Sequence, residues 1–190
     1  MLAAAIFIVA VLGWIVLRRR ADASVDLSRR DRQHAALLRL AATHALHVAG
    51  DVASGELEGV AFRAEAGTRG MLFDGDVVLS ASCSSDIRLV AWPREPPDDV
   101  TEGLGRELTT GDEVFDARFA VFASPRGAVE LLDAETRKEL VGLVAAATCI
   151  RGGEVMLLLP GIPSGRTLLS SVRLVGRIAE RCKAIGPSQV

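Results

Sequence analysis

An α+β fold is predicted for this chain: an N-terminal transmembrane helix, then one domain with a mainly antiparallel sheet and helices packed on one face. Three observations predict it. Met1 to Leu17 runs without a charge and is closed by Arg18, Arg19 and Arg20. Short segments with a two-residue apolar period, broken by glycines, fill the first half of the remaining chain. The period then becomes helical, with one strand returning before a last helix. Strands in succession followed by helices favour helices laid on a sheet over alternating βαβ units.

The apolar run comes first. At about 1.5 Å per residue, 17 residues reach roughly 25 Å, near the lower limit for a bilayer core of about 30 Å. A cleaved secretory signal is the competing reading, since Ala21-Asp22-Ala23 has the form of a cleavage site and would release a secreted domain after Ala23. Signals carry their positive charge before the apolar core, however, and here no basic residue precedes Arg18. Positive flanking charge stays in the cytoplasm, so the expected topology is N-terminus out, with the body on the cytoplasmic side of the inner membrane. Trp14 fits an interfacial aromatic one turn before the arginines. The expected domain boundaries are 1–20 for the anchor, 21–43 for a juxtamembrane linker and helix, and 44–185 for the α+β domain.

Arg29, Arg30 and Arg32 lead into Ala35 to Ala42, a helix with Leu37, Leu38 and Ala41 on one face. Val60, Phe62 and Ala64 alternate with polar residues as in a half-buried strand. Asp74-Gly75, between Met71–Phe73 and Val77–Leu79, is a two-residue hairpin signal. Ile87 to Trp92 is a strand ended by Pro93, and Phe115, Ala117, Phe119 and Val121 place a further strand over 115–122. Ser124-Pro125 is expected to open a helix, and Asp133 to cap a second whose stripe is Leu140, Leu143, Val144 and Ala147. Val155 to Leu159 is apolar on both faces and so belongs in the middle of the sheet. The last helix runs from Thr167 to Lys183 with Leu168, Val172, Val175 and Ala179 inward.

The stretch Leu108-Thr-Thr-Gly-Asp112-x-x-Phe115-Asp116-x-x-Phe119, with Leu131-Leu132-Asp133-x-Glu135-Thr136-Arg137-x-x-Leu140 after it, resembles a loose group of uncharacterised bacterial single-pass membrane-anchored proteins. Their shared mark is a TGD-x-x-FD-x-x-F strand followed by a Leu-rich helix, a short strand and a terminal helix. The resemblance covers roughly residues 85 to 182 and implies membrane anchorage and an α+β cytoplasmic domain. It implies no activity, cofactor or catalytic residue.

Composition narrows the function classes. The net charge of −2 leaves no global basic field, so no nucleic acid is expected as partner. The skew of 20 Arg to 2 Lys, with much Ala and no Tyr, fits a GC-rich bacterial genome. Cys83, Cys149 and Cys182 form no C-x-x-C pair, which removes zinc ribbons and thioredoxin-type sites. Cys83 lies among serines but has no G-x-S-x-G elbow and no family signature to supply a base. The Gly161–Gly165 loop lacks the Lys of a P-loop.

Two constellations have the residue types for chemistry. Asp112 and Asp116, four apart, would share one face of a strand and so suit a divalent cation or acid–base catalysis. The competing reading makes Gly111-Asp112 a turn whose carboxylate satisfies backbone amides, with Asp116 paired to Arg118. His44, His47 and Asp51 would share one helical face as a metal triad, but a strand beginning at Val48 would separate them. Arg173, Arg177 and Arg181 stripe the last helix and are expected to be its solvated side. The leading expectation is a non-catalytic interaction domain with the lipid bilayer and a protein as partners, and no cofactor. The alternative is a membrane-tethered metal-dependent enzyme.

Overall fold

The computed structural model describes residues 31–39, 41–57, 59–66, 77–83, 85–143, 146–160 and 163–184. Helix α1 covers 31–39 and 41–44. The strands are β1 (His47–Ala49), β2 (Val52–Leu57), β3 (Val60–Ala66), β4 (Val77–Ser82) and β5 (Arg88–Pro93). Two single turns of helix come next, α2 (Asp98–Thr101) and α3 (Glu113–Asp116), then β6 (Phe119–Ser124). A 3-10 segment at Arg126–Leu131 leads to α4 (Ala134–Gly142), β7 (Ala147–Arg151), β8 (Glu154–Leu159) and α5 (Gly165–Ala184).

The eight strands form one sheet in the order β1-β2-β3-β4-β8-β7-β5-β6, and every neighbouring pair is antiparallel. The β7–β8 hairpin thus sits between the β1–β4 meander and the β5–β6 pair. Its turn is Gly152-Gly153, both at positive φ, the backbone that a two-residue hairpin of matching twist demands and glycine adopts without strain. The apolar character of β8 on both faces has its cause here. Val155, Leu157 and Leu159 enter the main core, and Leu158 enters a second one.

The main core lies under the long helices. Leu37 and Ala41 of α1, Leu140 of α4, and Leu168, Val172, Val175, Ile178 and Ala179 of α5 meet Phe62, Leu79, Leu89 and Val121 of the sheet. The opposite face carries a smaller core, in which Val100 of α2 and Leu104 cover Val90, Trp92, Cys149 and Leu158. Helix α5 crosses β3, β4 and β8 at close range. Gly176 makes that approach possible: a Cβ there would lie 2.5 Å and 2.6 Å from the two γ carbons of Val60.

The sheet ends differently on its two sides. At one edge β1 is only three residues long. At the other, Leu108 bridges β6 by donating its N–H to the Val121 carbonyl at 2.7 Å.

Several expectations need correction. The fold class and the description led by a single-pass transmembrane helix are corrected for the described residues: no helix among them is long and apolar enough to cross a membrane, and they form an eight-stranded antiparallel sheet with helices. The longest of them, α5, has its apolar residues in one stripe facing the sheet, and an amphipathic helix of that kind is a core helix, not a lipid-embedded one. The run from Met1 to Leu17, Trp14, and Arg18, Arg19 and Arg20 lie outside the described residues, as do the Ala21–Ala23 site and the Asp74-Gly75 turn. The strand expected from Phe115 begins only at Phe119, because 113–116 is a helical turn. Phe115 and Phe119 stack with ring centroids 4.6 Å apart, and a spacing of four satisfies a helical turn as well as a strand face. Ser124 ends β6, and Pro125 precedes the 3-10 segment. Helix α4 stops at Gly142, so Ala147 belongs to β7.

Replacing Gly176 by Ala should drive a methyl into a stiff β-branched neighbour. A loss of about 1–3 kcal/mol is expected, partly offset by the roughly 1 kcal/mol that Ala gains over Gly in a helix. Denaturant unfolding of Gly176→Ala, Val60→Ala and the double variant should reveal coupling, with Val60→Ala recovering most of the loss. Additive effects would mean that α5 does not rest on Val60.

Candidate functional site

The Thr109–Phe119 segment places its carboxylates for structure. Asp112 is the N-cap of α3, and its Oδ1 accepts the Phe115 N–H at 3.1 Å. Its Oδ2 accepts from Arg137 Nε at 3.2 Å. Asp116 turns back on the preceding loop instead of sharing a face with Asp112. Its carboxylate accepts the N–H of Thr110 at 3.0 Å, the Thr110 hydroxyl at 2.8 Å and the N–H of Gly111 at 3.2 Å. Three donors on one carboxylate hold the turn closed, and no pairing with Arg118 is needed: Arg118 reaches the Val141 carbonyl. The Phe115 amide and the Arg137 guanidinium favour the charged form of Asp112 and hold its carboxyl below the usual 3.8.

Arg137 carries this turn to α4, since its Nη1 also donates to the Leu132 carbonyl at 2.6 Å. Asp133 caps α4 by accepting the Thr136 N–H at 2.8 Å and pairs with Arg181 of α5. Arg177 bridges Glu135 at 3.1 Å and Glu139 at 2.7 Å. Arg177 and Arg181 are therefore not a solvated side; they clamp α4 to α5. The signal was present in the sequence as acidic residues at 133, 135 and 139 opposite basic residues at 177 and 181. Each such half-exposed pair contributes on the order of 0.2–1 kcal/mol, so their value lies in fixing the angle of α4.

His44 ends α1 and His47 opens β1, while Asp51 pairs with His34, Nδ1 to Oδ1 at 3.3 Å. Among the described residues no group of three or more His, Cys, Asp or Glu side chains is placed to hold a metal ion. Cys83 is fully buried in the main core. Burial first, and then the neighbouring Cys182 thiol, push its thiol up to about 12, which leaves almost no thiolate to act as a nucleophile at neutral pH. Burial likewise raises Cys149.

Sequence reasoning passed over a concave feature among the described residues. A groove of about 520 Å³ runs between α1 and the start of α5. It is lined by Arg32, Ala35, Ala36, Arg39 and His44 on the α1 side and by Leu168 and Leu169 on the α5 side. Residues 32, 35, 36, 39 and 43 fall on one helical stripe, next to the one through Leu37 and Ala41 that enters the core. The other wall is the α5 N-terminus, where Ser164 Oγ accepts the Thr167 N–H at 3.1 Å. Among the described residues, those lining the groove include no carboxylate. Small residues between two arginines on a helix were the legible trace, but only the packing of α5 turns that stripe into a groove.

No protein-family model matches the chain, and no curated protein matches it. Among solved structures, the crystal structure of the mycobacterial trehalose monomycolate transport factor A, TtfA, is similar, with a TM-score of 0.59 and 11% sequence identity over 83% of this chain and 98% of that chain. At that identity the likeness is one of fold.

The carboxylate geometry has two measurable outcomes. Asp116→Ala strands three donors and should cost about 1–3 kcal/mol in denaturant unfolding, and an unchanged midpoint would refute the turn-closing role. The folded state holds the Asp112 carboxyl below its ordinary 3.8, so its contribution is complete above that value and is lost as pH falls through the lower folded value. An acid-unfolding titration of Asp112→Asn should therefore show a flatter acid limb than the parent chain, with the two curves parallel above pH of about 5.

Proposed function

We propose that this chain is a non-catalytic accessory factor in transport, working by binding a protein or a lipid and not by chemical turnover. The observation that carries this reading is the fate of the carboxylates. Asp112, Asp116, Asp133, Glu135 and Glu139 are all engaged in holding the turn, α4 and α5 together. A catalytic carboxylate needs a free lone pair facing a site where substrate can sit. The groove between α1 and α5 has no carboxylate among its described lining residues.

The fold held in common with TtfA, a trehalose monomycolate transport factor, supports a transport setting. The metal-dependent alternative loses its ligands, because His44, His47 and Asp51 are parcelled out to separate places and the two aspartates serve the turn. The finer reading is that the protein partner is itself part of a transport apparatus, with this chain as its auxiliary.

A complementation experiment tests this. In cells depleted of the chain, a transported lipid should remain undelivered in fractionated lipid extracts, and Asp112→Asn should restore delivery as fully as the parent. If the Asp112→Asn protein accumulates to parental levels, folds, and still fails to complement, the non-catalytic reading is lost.

A further inference from the structure

We propose that Cys83 and Cys182 are a disulfide-forming pair, a modification site at which oxidation bolts the last turn of α5 to the end of β4. The three cysteines are free thiols and all are buried, and a buried thiol is ordinarily a small apolar filler. Placement sets this pair apart. Cys83 follows β4 directly, and its N–H donates to the Gly153 carbonyl at 2.8 Å, so its backbone is anchored to the β7–β8 turn. Cys182 lies two residues before the end of α5, the helix seated across β4. Both belong to the main core, where the two thiols hydrogen-bond to each other. Cys149 belongs to the smaller core on the opposite face of the sheet. Of the three pairings that the cysteines allow, the sheet therefore leaves one.

The chemistry is thiol–disulfide exchange, with a small-molecule disulfide R–S–S–R as oxidant. One cysteine thiolate attacks that disulfide, forming a mixed disulfide and expelling the first R–S⁻. The second cysteine thiolate attacks the bridged cysteine sulfur, the Sγ–Sγ bond forms, and the second R–S⁻ leaves. Both cysteine protons end on the two R–SH products, so the pair is oxidised by two electrons and the co-reactant reduced by two. Seated in the core, neither thiol meets the oxidant. Cys182, however, sits in the last turn of its helix, and helix ends open at far lower cost than a whole fold. Exchange passes through opening of that turn, which then reseats on the finished bridge. Cys83 and Cys182 stand about a hundred residues apart, so the bridge removes much of the freedom of the unfolded chain. The pair does not depend on what the chain binds.

The test is incubation of the full-length chain with glutathione disulfide, both as the native protein and during refolding from urea. Acid quenching, alkylation under denaturing conditions and non-reducing peptide mapping by mass spectrometry follow. Two of the three thiols should disappear, with Cys83 and Cys182 in one linked peptide pair and Cys149 alkylated. Bridging of the native chain should quicken in urea below the unfolding midpoint. The bridged chain should melt roughly 5–15 °C above the reduced one, the scale of a long closed loop in a domain of this size. Cys149→Ala should bridge as the parent does, whereas Cys182→Ala should gain no thermal stability on the same treatment. Three alkylated thiols after oxidative refolding, a bridge to Cys149, glutathione adducts as the end product, or a bridged chain melting no higher than the reduced one would each overturn the proposal.

Discussion

The seating of α5 on the sheet is the constraint on which the rest of this molecule depends. The helix lies across β3, β4 and β8, and so ties the N-terminal meander to the late hairpin. Its apolar stripe supplies much of the main core, and burying side chains of that size is worth about 1.5–3 kcal/mol each. Close seating requires the missing side chain at Gly176, where the helix backbone meets Val60. Everything on that side takes its position from the helix. Its flank holds α4 through Arg177 and Arg181, and its first turn forms one wall of the groove whose other wall is α1.

The division of labour among charges comes from this arrangement. Asp112, Asp116, Asp133, Glu135 and Glu139 are taken up by partners within the chain, and the basic side chains among those partners come from α4 itself and from α5. A motif that looks ready for metal or proton chemistry is thereby a joint. Arg137 is its pivot, touching the Asp112 carboxylate on one side and the Leu132 carbonyl on the other. The joint fixes how α4 leaves the β6 edge, and it leaves the α1 side of the molecule free of this network.

Legibility in the sequence tracked the range of the interaction responsible. Helix α5, β8 and the capping of α4 by Asp133 were readable because a local period or a single side chain decides each. The strand expected at Phe115 failed because a spacing of four is shared by a helical turn and a strand face, and only the cap at Asp112 breaks the tie. The arginine stripe was visible, but its partners lie some forty residues away, at Asp133, Glu135 and Glu139. The groove was the least legible of all. Its floor joins Ala35 and Ala36 to Leu168 and Leu169, and no local pattern encodes a cleft made by two helices from opposite ends of the chain.

The treatment of the outer strands bears on how this protein behaves when crowded. An open sheet offers unpaired amides and carbonyls along its flanks, a template for recruiting copies of itself into ribbons. Here one flank offers a strand of only three residues, and the Leu108 amide already occupies the Val121 carbonyl on the other. A three-residue strand on one margin and an occupied Val121 carbonyl on the other shorten the free ladder at both, which disfavours edge-to-edge pairing between copies.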